Sequence, residues 1–382
     1  MRDTNNANAK LNTPLEFVET PEALKRLAAQ LLQAPRVAVD TESNSLHAYR
    51  EQVCLIQFSI PEGDYLVDPL ALDDLSPLAP FFASPEIEKV FHAADYDLIV
   101  LQRDFDFTCG KLFDTMWAGR VLGWAHVGLA DVLKAHFDVH LNKKYQRHDW
   151  GRRPLSRKAL AYARMDTHYL LPLRDLQEAE LRAAGHWEEA QEIFDYLRTH
   201  VPQPSPPNPK ADFWQLKGLH KLNVREKCVL YRLHLWRERT AQKLDRPPFK
   251  VIDRRRLLSL ARVHPRSYKG LRAAGLTKYQ TRRFGKGILK ALHAQAQALP
   301  PMPPESPPPP AEVQDRYDAL HAWRKEVARA RGVDSDVILP NATLWALAWD
   351  PPTTEAALLE VPGIGPWRQQ AYGTDLLALL SS

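Results

Sequence analysis

The sequence predicts a mixed α/β domain with a central sheet over residues 13–201, followed by two all-α modules at 211–295 and 312–382. Three observations predict it. From about residue 15 to 200, short runs rich in β-branched and aromatic residues alternate with segments of helical apolar period. Pro202, Pro204, Pro206, Pro207 and Pro209 then break the chain where neither helix nor strand can continue, and a second proline run from Pro300 through Pro310 makes a stiffer spacer. The segments after each break keep long helical periodicity without convincing strands.

Residues 1–12 are polar and are expected to fray. The α/β part begins with a helix near Pro21–Gln33, then strand-like runs at Arg36–Thr41, Val53–Ile60 and Tyr65–Val67. Lys89–His92 leads into a helical segment from Asp95 to Gln102, and further helices are expected at about 114–122, 129–136 and 157–175. Two hairpin-like connections among the early strands argue for a mixed rather than a wholly parallel sheet. Both tail modules begin with one phrase, Leu233-His234-Leu235-Trp236-Arg237 and Leu320-His321-Ala322-Trp323-Arg324, and both carry a later Leu-x-x-Leu-Ala phrase ending at Ala261 and Ala348. That is a divergent internal duplication.

Apolar residues at 45% and charged residues at 25% fit a globular protein and exclude a fibrous or wholly disordered one. No apolar stretch approaches the roughly 18 residues that span a bilayer, and the start Met1-Arg2-Asp3-Thr4 lacks a signal-peptide core, so a cytoplasmic location is expected. Cys54, Cys109 and Cys228 are odd in number and far apart, which argues against a disulfide framework or a zinc site. Charge is uneven. Residues 211–295 hold 22 Lys or Arg against 5 Asp or Glu, whereas the second module is net acidic by four charges. The first module is built to meet a polyanion.

Five residues carry the chemistry. Asp40 and Glu42 end the apolar run Val37-Ala38-Val39, and the period of two in a strand puts both carboxylates on one sheet face. Tyr162 and Asp166 stand four apart on a predicted helix and share a face. Clustered carboxylates resist burial unless neutralised, and all-oxygen ligation favours magnesium or manganese over zinc.

Asp40-Thr41-Glu42, Asp97 within His92-Ala93-Ala94-Asp95-Tyr96-Asp97-Leu98, and Tyr162-x-x-x-Asp166 together resemble the DEDD exonuclease superfamily in its tyrosine-bearing branch. Phe113-Asp114-Thr115, Val127-Gly128-Leu129, Asp149-Trp150 and Arg153-Pro154-Leu155 resemble ribonuclease D more narrowly, and the two tail modules are similar to the helicase-and-RNase-D C-terminal (HRDC) domain. The resemblance implies a ribonuclease H-like exonuclease domain and two HRDC-like domains. It implies that Asp40, Glu42, Asp97 and Asp166 ligate two divalent ions, Mg2+ or Mn2+, while Tyr162 orients the attacking water. The implied reaction is 3′-to-5′ hydrolysis of RNA, releasing nucleoside 5′-monophosphates. The implied partner is RNA with a single-stranded 3′ tail, above all tRNA precursors, with no membrane and no obligatory protein partner. Asn44 and Leu46 are candidates for holding the terminal nucleotide. A DNA exonuclease of the same superfamily and a nucleic-acid-binding protein with a dead nuclease domain are the rival readings.

In the basic module, Arg254, Arg255, Arg256, Lys278, Arg282, Arg283 and Lys286 are candidates for phosphate contact, with Tyr268 and Tyr279 as stacking partners. Asp95 is better explained as a helix cap than as a ligand. His92 is expected to close a buried strand, His148 and His168 lack the spaced partners of a zinc site, and Trp236 and Trp323 are expected in helical cores. Gly363-Ile364-Gly365-Pro366-Trp367 resembles a phosphate-binding hairpin, but its acidic surroundings favour a turn between helices.

Overall fold

The computed structural model describes residues 13–141, 143–203, 208–295, 298–302 and 307–381. Residues 1–12, expected to fray, and the middles of both proline runs lie outside the described residues.

Six strands form one sheet in the order β1-β4-β3-β2-β5-β6: β1 (Leu15–Val18), β2 (Arg36–Ser43), β3 (Val53–Ile60), β4 (Gly63–Val67), β5 (Glu88–Phe91) and β6 (Leu112–Asp114). β3 and β4 form an antiparallel pair, while β1 runs parallel to β4, β2 to β5 and β5 to β6. The sheet is therefore mixed, as the hairpin-like connections predict. Its helices are α1 (Pro21–Leu31), α2 (Ala79–Ala83), α3 (Asp95–Phe105), α4 (Thr115–Val121), α5 (Leu129–Phe137), α6 (Arg157–His168), α7 (Leu170–Ala184) and α8 (Trp187–Thr199). Val37, Ala38, Val39, Phe58 and Val90 are fully buried, so the middle strands are dry and their polar ends carry the site.

The single helix expected over 157–175 is two helices. Pro172 has no N–H, and its ring would meet the carbonyl four residues back, that of His168, so the first helix stops there and a new one starts at Leu170.

The helical tail contains α9 (Pro209–Asp212), α10 (Val224–Lys243), α11 (Pro248–Val251), α12 (Arg254–Val263), α13 (Tyr268–Ala273) and α14 (Lys278–His293), then α15 (Ala311–Arg331), α16 (Ser335–Ile338), α17 (Asn341–Trp349), α18 (Glu355–Leu358) and α19 (Pro366–Leu380). The chain divides into two compact units: residues 1–42, 53–203 and 308–382 make one, and residues 43–52 and 204–307 make the other. The sheet domain and the second helical module thus share a unit.

Polar contacts among the described residues join them. Arg331 on α15 donates to both oxygens of the buried Glu189 on α8, at 2.6 and 2.8 Å. Arg120 on α4 pairs with Asp334 and Asp336. The Glu192 carboxylate accepts the N–H groups of Gly365 (2.9 Å), Trp367 (3.0 Å) and Arg368 (3.3 Å) at the start of α19. The Gly363–Trp367 hairpin therefore uses its amides on a side chain of its own molecule, which supports its reading as a turn. Both glycines are required by close approach: a Cβ on Gly365 would lie 2.5 Å from the Glu192 carboxylate, and one on Gly363, whose φ is +89°, would lie 2.3 Å from Thr343 Oγ1.

Candidate active site

Asp40 and Glu42 leave the buried strand β2 at its C-terminal end, with both side chains half-buried. Asp97 lies in the first turn of α3 and is 8% exposed, as is Asp166 on α6. The two helices are fixed by separate devices. Asp114, fully buried at the end of β6, accepts N–H groups from Ala93 (3.1 Å), Ala94 (2.7 Å), Met116 (2.8 Å) and Trp117 (3.1 Å). It thereby holds the turn before α3, where Ala93 is in the left-handed region at φ 65°, and caps α4. Asp95 is the first residue of α3 rather than its cap, against the expectation, and its carboxylate accepts the Trp117 indole N–H at 3.4 Å.

Helix α6 is pinned by the buried Asp64 of β4, which accepts from Arg164 Nε at 2.6 Å and His168 Nδ1 at 2.9 Å, while Thr167 and Ser59 share a hydrogen bond at 2.7 Å. These contacts flank Asp166 and fix its turn of helix. Arg153 forks onto Asp68, Nε to Oδ2 at 2.6 Å and Nη2 to Oδ1 at 2.5 Å, and donates to the Cys54 carbonyl at 2.7 Å. It anchors the loop that carries Trp150, whose ring packs 6.2 Å from that of Tyr162, with Tyr145 at 5.6 Å on the same phenol. His92 bonds Thr115 Oγ1 at 2.9 Å, and burial pushes its pKa down to about 4.

The five candidates meet electrostatically. Burial, then Asp97, Asp166 and Glu42, raise the pKa of Asp40 well above the carboxylate range, with no cation among the main influences. Glu42 is pushed up to about 9 by burial and by Asp166 and Asp97. Asp166 rises to about 8 through burial and Asp97, and Asp97 to about 7 through burial, against the opposing hydrogen bond from Thr41. Burial and the charges of Asp166, Glu42 and Asp40 also raise the Tyr162 phenol. Those charges keep the phenol in its donor form in the metal-free chain, which fits an orienting role.

As the side chains stand, no three of the described His, Cys, Asp and Glu groups converge into a closed ligand shell. The charges of Asp97 and Asp166 nevertheless reach both Asp40 and Glu42, and like charges repel until a cation draws the oxygens inward. Four carboxylates with no Lys or Arg of the described residues among the main influences on them fit a hard divalent ion. Two partners of the set were not legible in the sequence. Thr41 Oγ1 donates to Asp97, and the fully buried Gln57 on β3 donates from Nε2 to Asp40 Oδ2 at 3.2 Å.

Comparison with known proteins shows the family. A family model described as "3′-5′ exonuclease" matches residues 15–182, and the HRDC domain model matches residues 226–292 and 313–380. A ribonuclease D of Acidiphilium cryptum is 30% identical over 95% of this chain and 92% of its own length. The chain belongs to the ribonuclease D family. The crystal structure of Escherichia coli RNase D matches 97% of this chain and 99% of its own, with 26% identity and a TM-score of 0.66. The exosome complex component 10 homolog of Caenorhabditis elegans is 34% identical over 69% of this chain, which spans 30% of that relative's length. Ribonuclease D-like 3′-5′ exonucleases of the DEDD type depend on divalent metal, in keeping with the donor set found here.

The remaining candidates fall in the second unit. Asn44 is buried, and its Oδ1 accepts the Gln52 N–H at 2.9 Å, so its side chain closes the loop 43–52 and leaves Leu46 41% exposed. That loop belongs with the first HRDC module: the Tyr49 N–H donates to Asp245 at 3.0 Å, and Lys250 Nζ lies 3.2 Å from His47. Arg254, Arg255, Lys278, Arg282, Arg283 and Lys286 are exposed, as are Tyr268 and Tyr279. Arg256 is committed inward, donating to the Gly275 carbonyl at 2.8 Å and to Asp253.

Proposed function

We propose that this protein is a metal-dependent 3′-to-5′ exoribonuclease in which Asp40, Glu42, Asp97 and Asp166 hold two divalent ions, Mg2+ or Mn2+. Tyr162 donates to and orients the attacking water. The observation that carries the reading is the cluster of mutually repelling carboxylates, positioned by Thr41, Gln57 and Asp114, beside a phenol that stays protonated. Such ions would supply activation of water and charge stabilisation at the departing 3′ oxygen. The chain's own contribution is to space the carboxylates, to pack Tyr162 against Tyr145 and Trp150, and to gather RNA phosphates on the basic HRDC module.

The substrates we assign are RNAs with short single-stranded 3′ tails, tRNA precursors among them, shortened to nucleoside 5′-monophosphates during 3′-end maturation. The Escherichia coli relative, described as an exoribonuclease involved in structured RNA processing, supports this assignment. We place the activity in the cytoplasm; among the described residues no helix is long and apolar enough to cross a membrane. The test is digestion of a 3′-tailed tRNA precursor and of single-stranded DNA of the same sequence by wild type and Asp40→Ala, with Mg2+, Mn2+ or EDTA. Stepwise 3′ shortening of the RNA by wild type with metal alone is expected. Equal cutting by the variant or in EDTA would refute the site, and preference for the DNA would replace the substrate.

A further inference from the structure

The duplicated modules can be compared position by position. Aligned on Leu-x-x-Trp-Arg and on the pairs Phe284-Gly285 and Tyr372-Gly373, Trp236 corresponds to Trp323 and Gly287 to Asp375. In the second module the Trp323 indole N–H donates to Asp375 at 3.4 Å. In the first module that acceptor is missing: a Cβ on Gly287 would lie only 2.6 Å from Trp236 Nε1, and among the described residues the indole N–H meets no acceptor. Trp236 is half-buried, its ring 6.2 Å from Phe284, so it is core on one side and open on the other.

Its open side lines a groove of about 610 Å³ between α10 and α14, together with Arg239, Lys243, Arg283 and Lys290. Among the described residues none of the four cations has a carboxylate partner, and Arg239 alone is hydrogen-bonded, to the Leu235 carbonyl of its own helix at 3.2 Å. The corresponding positions of the second module are Glu326, Ala330, Ala371 and Ala378. The two copies therefore share a half-buried indole, and only the first surrounds it with positive charge and leaves its N–H without a carboxylate acceptor. Also on α14, outside the groove lining, Lys278, Arg282 and Lys286 follow one another at a spacing of four and are exposed. Unpaired cations beside an aromatic face with a free donor are the elements of sequence-tolerant single-strand binding, in which phosphates meet the charges and a base meets the ring.

We propose that the α10/α14 groove is an RNA-holding site separate from the carboxylate cluster, seating the phosphates of a single strand on Arg239, Lys243, Arg283 and Lys290 with a base against Trp236. It rests on the reading that RNA is the substrate. The test measures binding of a fluorescein-labelled oligoadenylate to the full chain in EDTA over a range of salt. Arg283→Glu with Lys290→Glu is expected to raise Kd about tenfold or more, and to lower the slope of log K against log salt by about 1.4, two phosphates at about 0.7 each. Trp236→Leu is expected to weaken binding by about 5- to 100-fold with the slope unchanged. Lys217→Glu with Lys221→Glu, the same charge change at exposed residues outside the groove, is expected to have little effect.

Should Trp236→Leu fail to fold, judged by circular dichroism, the charge-reversal pairs decide alone. The proposal is overturned if the groove pair and the control pair weaken binding equally, if the groove pair leaves Kd unchanged, or if polyglutamate competes as strongly as oligoadenylate. Hydrolysis of an RNA trinucleotide with Mg2+ separates this outcome from the fate of the functional reading. Loss in wild type would sink that reading, whereas retention in groove variants that bind poorly supports the site.

Discussion

The first unit gathers negative charge where water is scarce, and the second gathers positive charge where water is plentiful. Asp97 and Asp166 are buried and Asp40 and Glu42 half-buried, and each raises the pKa of its neighbours; Lys278, Arg282, Arg283 and Lys286 stand in solvent along one helix. Burial makes the first arrangement unstable until a cation enters, so it is selective for a small, highly charged partner. Exposure makes the second tolerant and salt-sensitive, suited to any stretch of phosphate backbone. Under the function we propose, chemistry falls to one unit and grip to the other.

The strongest way to break that contrast is to remove one carboxylate. Asp40→Ala is expected to reduce RNA hydrolysis to the level seen in EDTA, while the oligoadenylate Kd measured in EDTA stays within about twofold of wild type. A parallel fall in binding would show that the acidic pocket also supplies grip. A smaller effect is expected from Gln57→Leu, which frees Asp40 from its hydrogen bond without touching a candidate ligand: about 10- to 100-fold weaker Mn2+ binding, read by titration, with oligoadenylate binding unchanged. On the basic side, Arg282→Glu with Lys286→Glu should lower the salt slope of RNA binding by about 1.4 and leave kcat on a trinucleotide unaltered.

A gentler test uses pH. Glu42, Asp166 and Asp97 hold protons in the folded chain up to about 9, 8 and 7, whereas in the unfolded chain they release them near pH 4. Between these values the folded state binds more protons than the unfolded one, so stability in chelator should fall as pH rises from about 4 to about 9. Added Mg2+ or Mn2+ should restore it, more so at higher pH. Thermal unfolding across that range checks both signs, and a melting temperature flat in pH would remove the buried-charge argument.

Much of this was legible in sequence because long periodic segments and an ordered set of polar residues announce themselves. What was not legible has physical causes. β1 and β6 have four and three residues, too few to show a period, and both are held by parallel partners distant in sequence. The break between α6 and α7 follows from Pro172, whose clash with the His168 carbonyl requires a geometric rather than a compositional reading. Gln57 reaches Asp40 across neighbouring strands, and Asp114 reaches the turn before α3 from twenty residues away, so neither could be tied to the site from local pattern. Asn44 looks free in sequence, yet its side chain is used to close its own loop. Trp236 reads as core from its spacing; that it also lines the α10/α14 groove depends on tertiary packing that no local pattern carries.

The central claim is that the carboxylates of Asp40, Glu42, Asp97 and Asp166 form one cation-capturing pocket, and calorimetric titration of the full chain with Mn2+ in two buffers of different ionisation enthalpy tests it most directly. The account predicts saturable binding to wild type with protons released, because carboxylates that hold protons near neutral pH must give them up to ligate. It predicts loss of both the binding and the proton release in Asp166→Asn. Wild-type binding that releases no protons, or that survives unchanged in the variant, would contradict it.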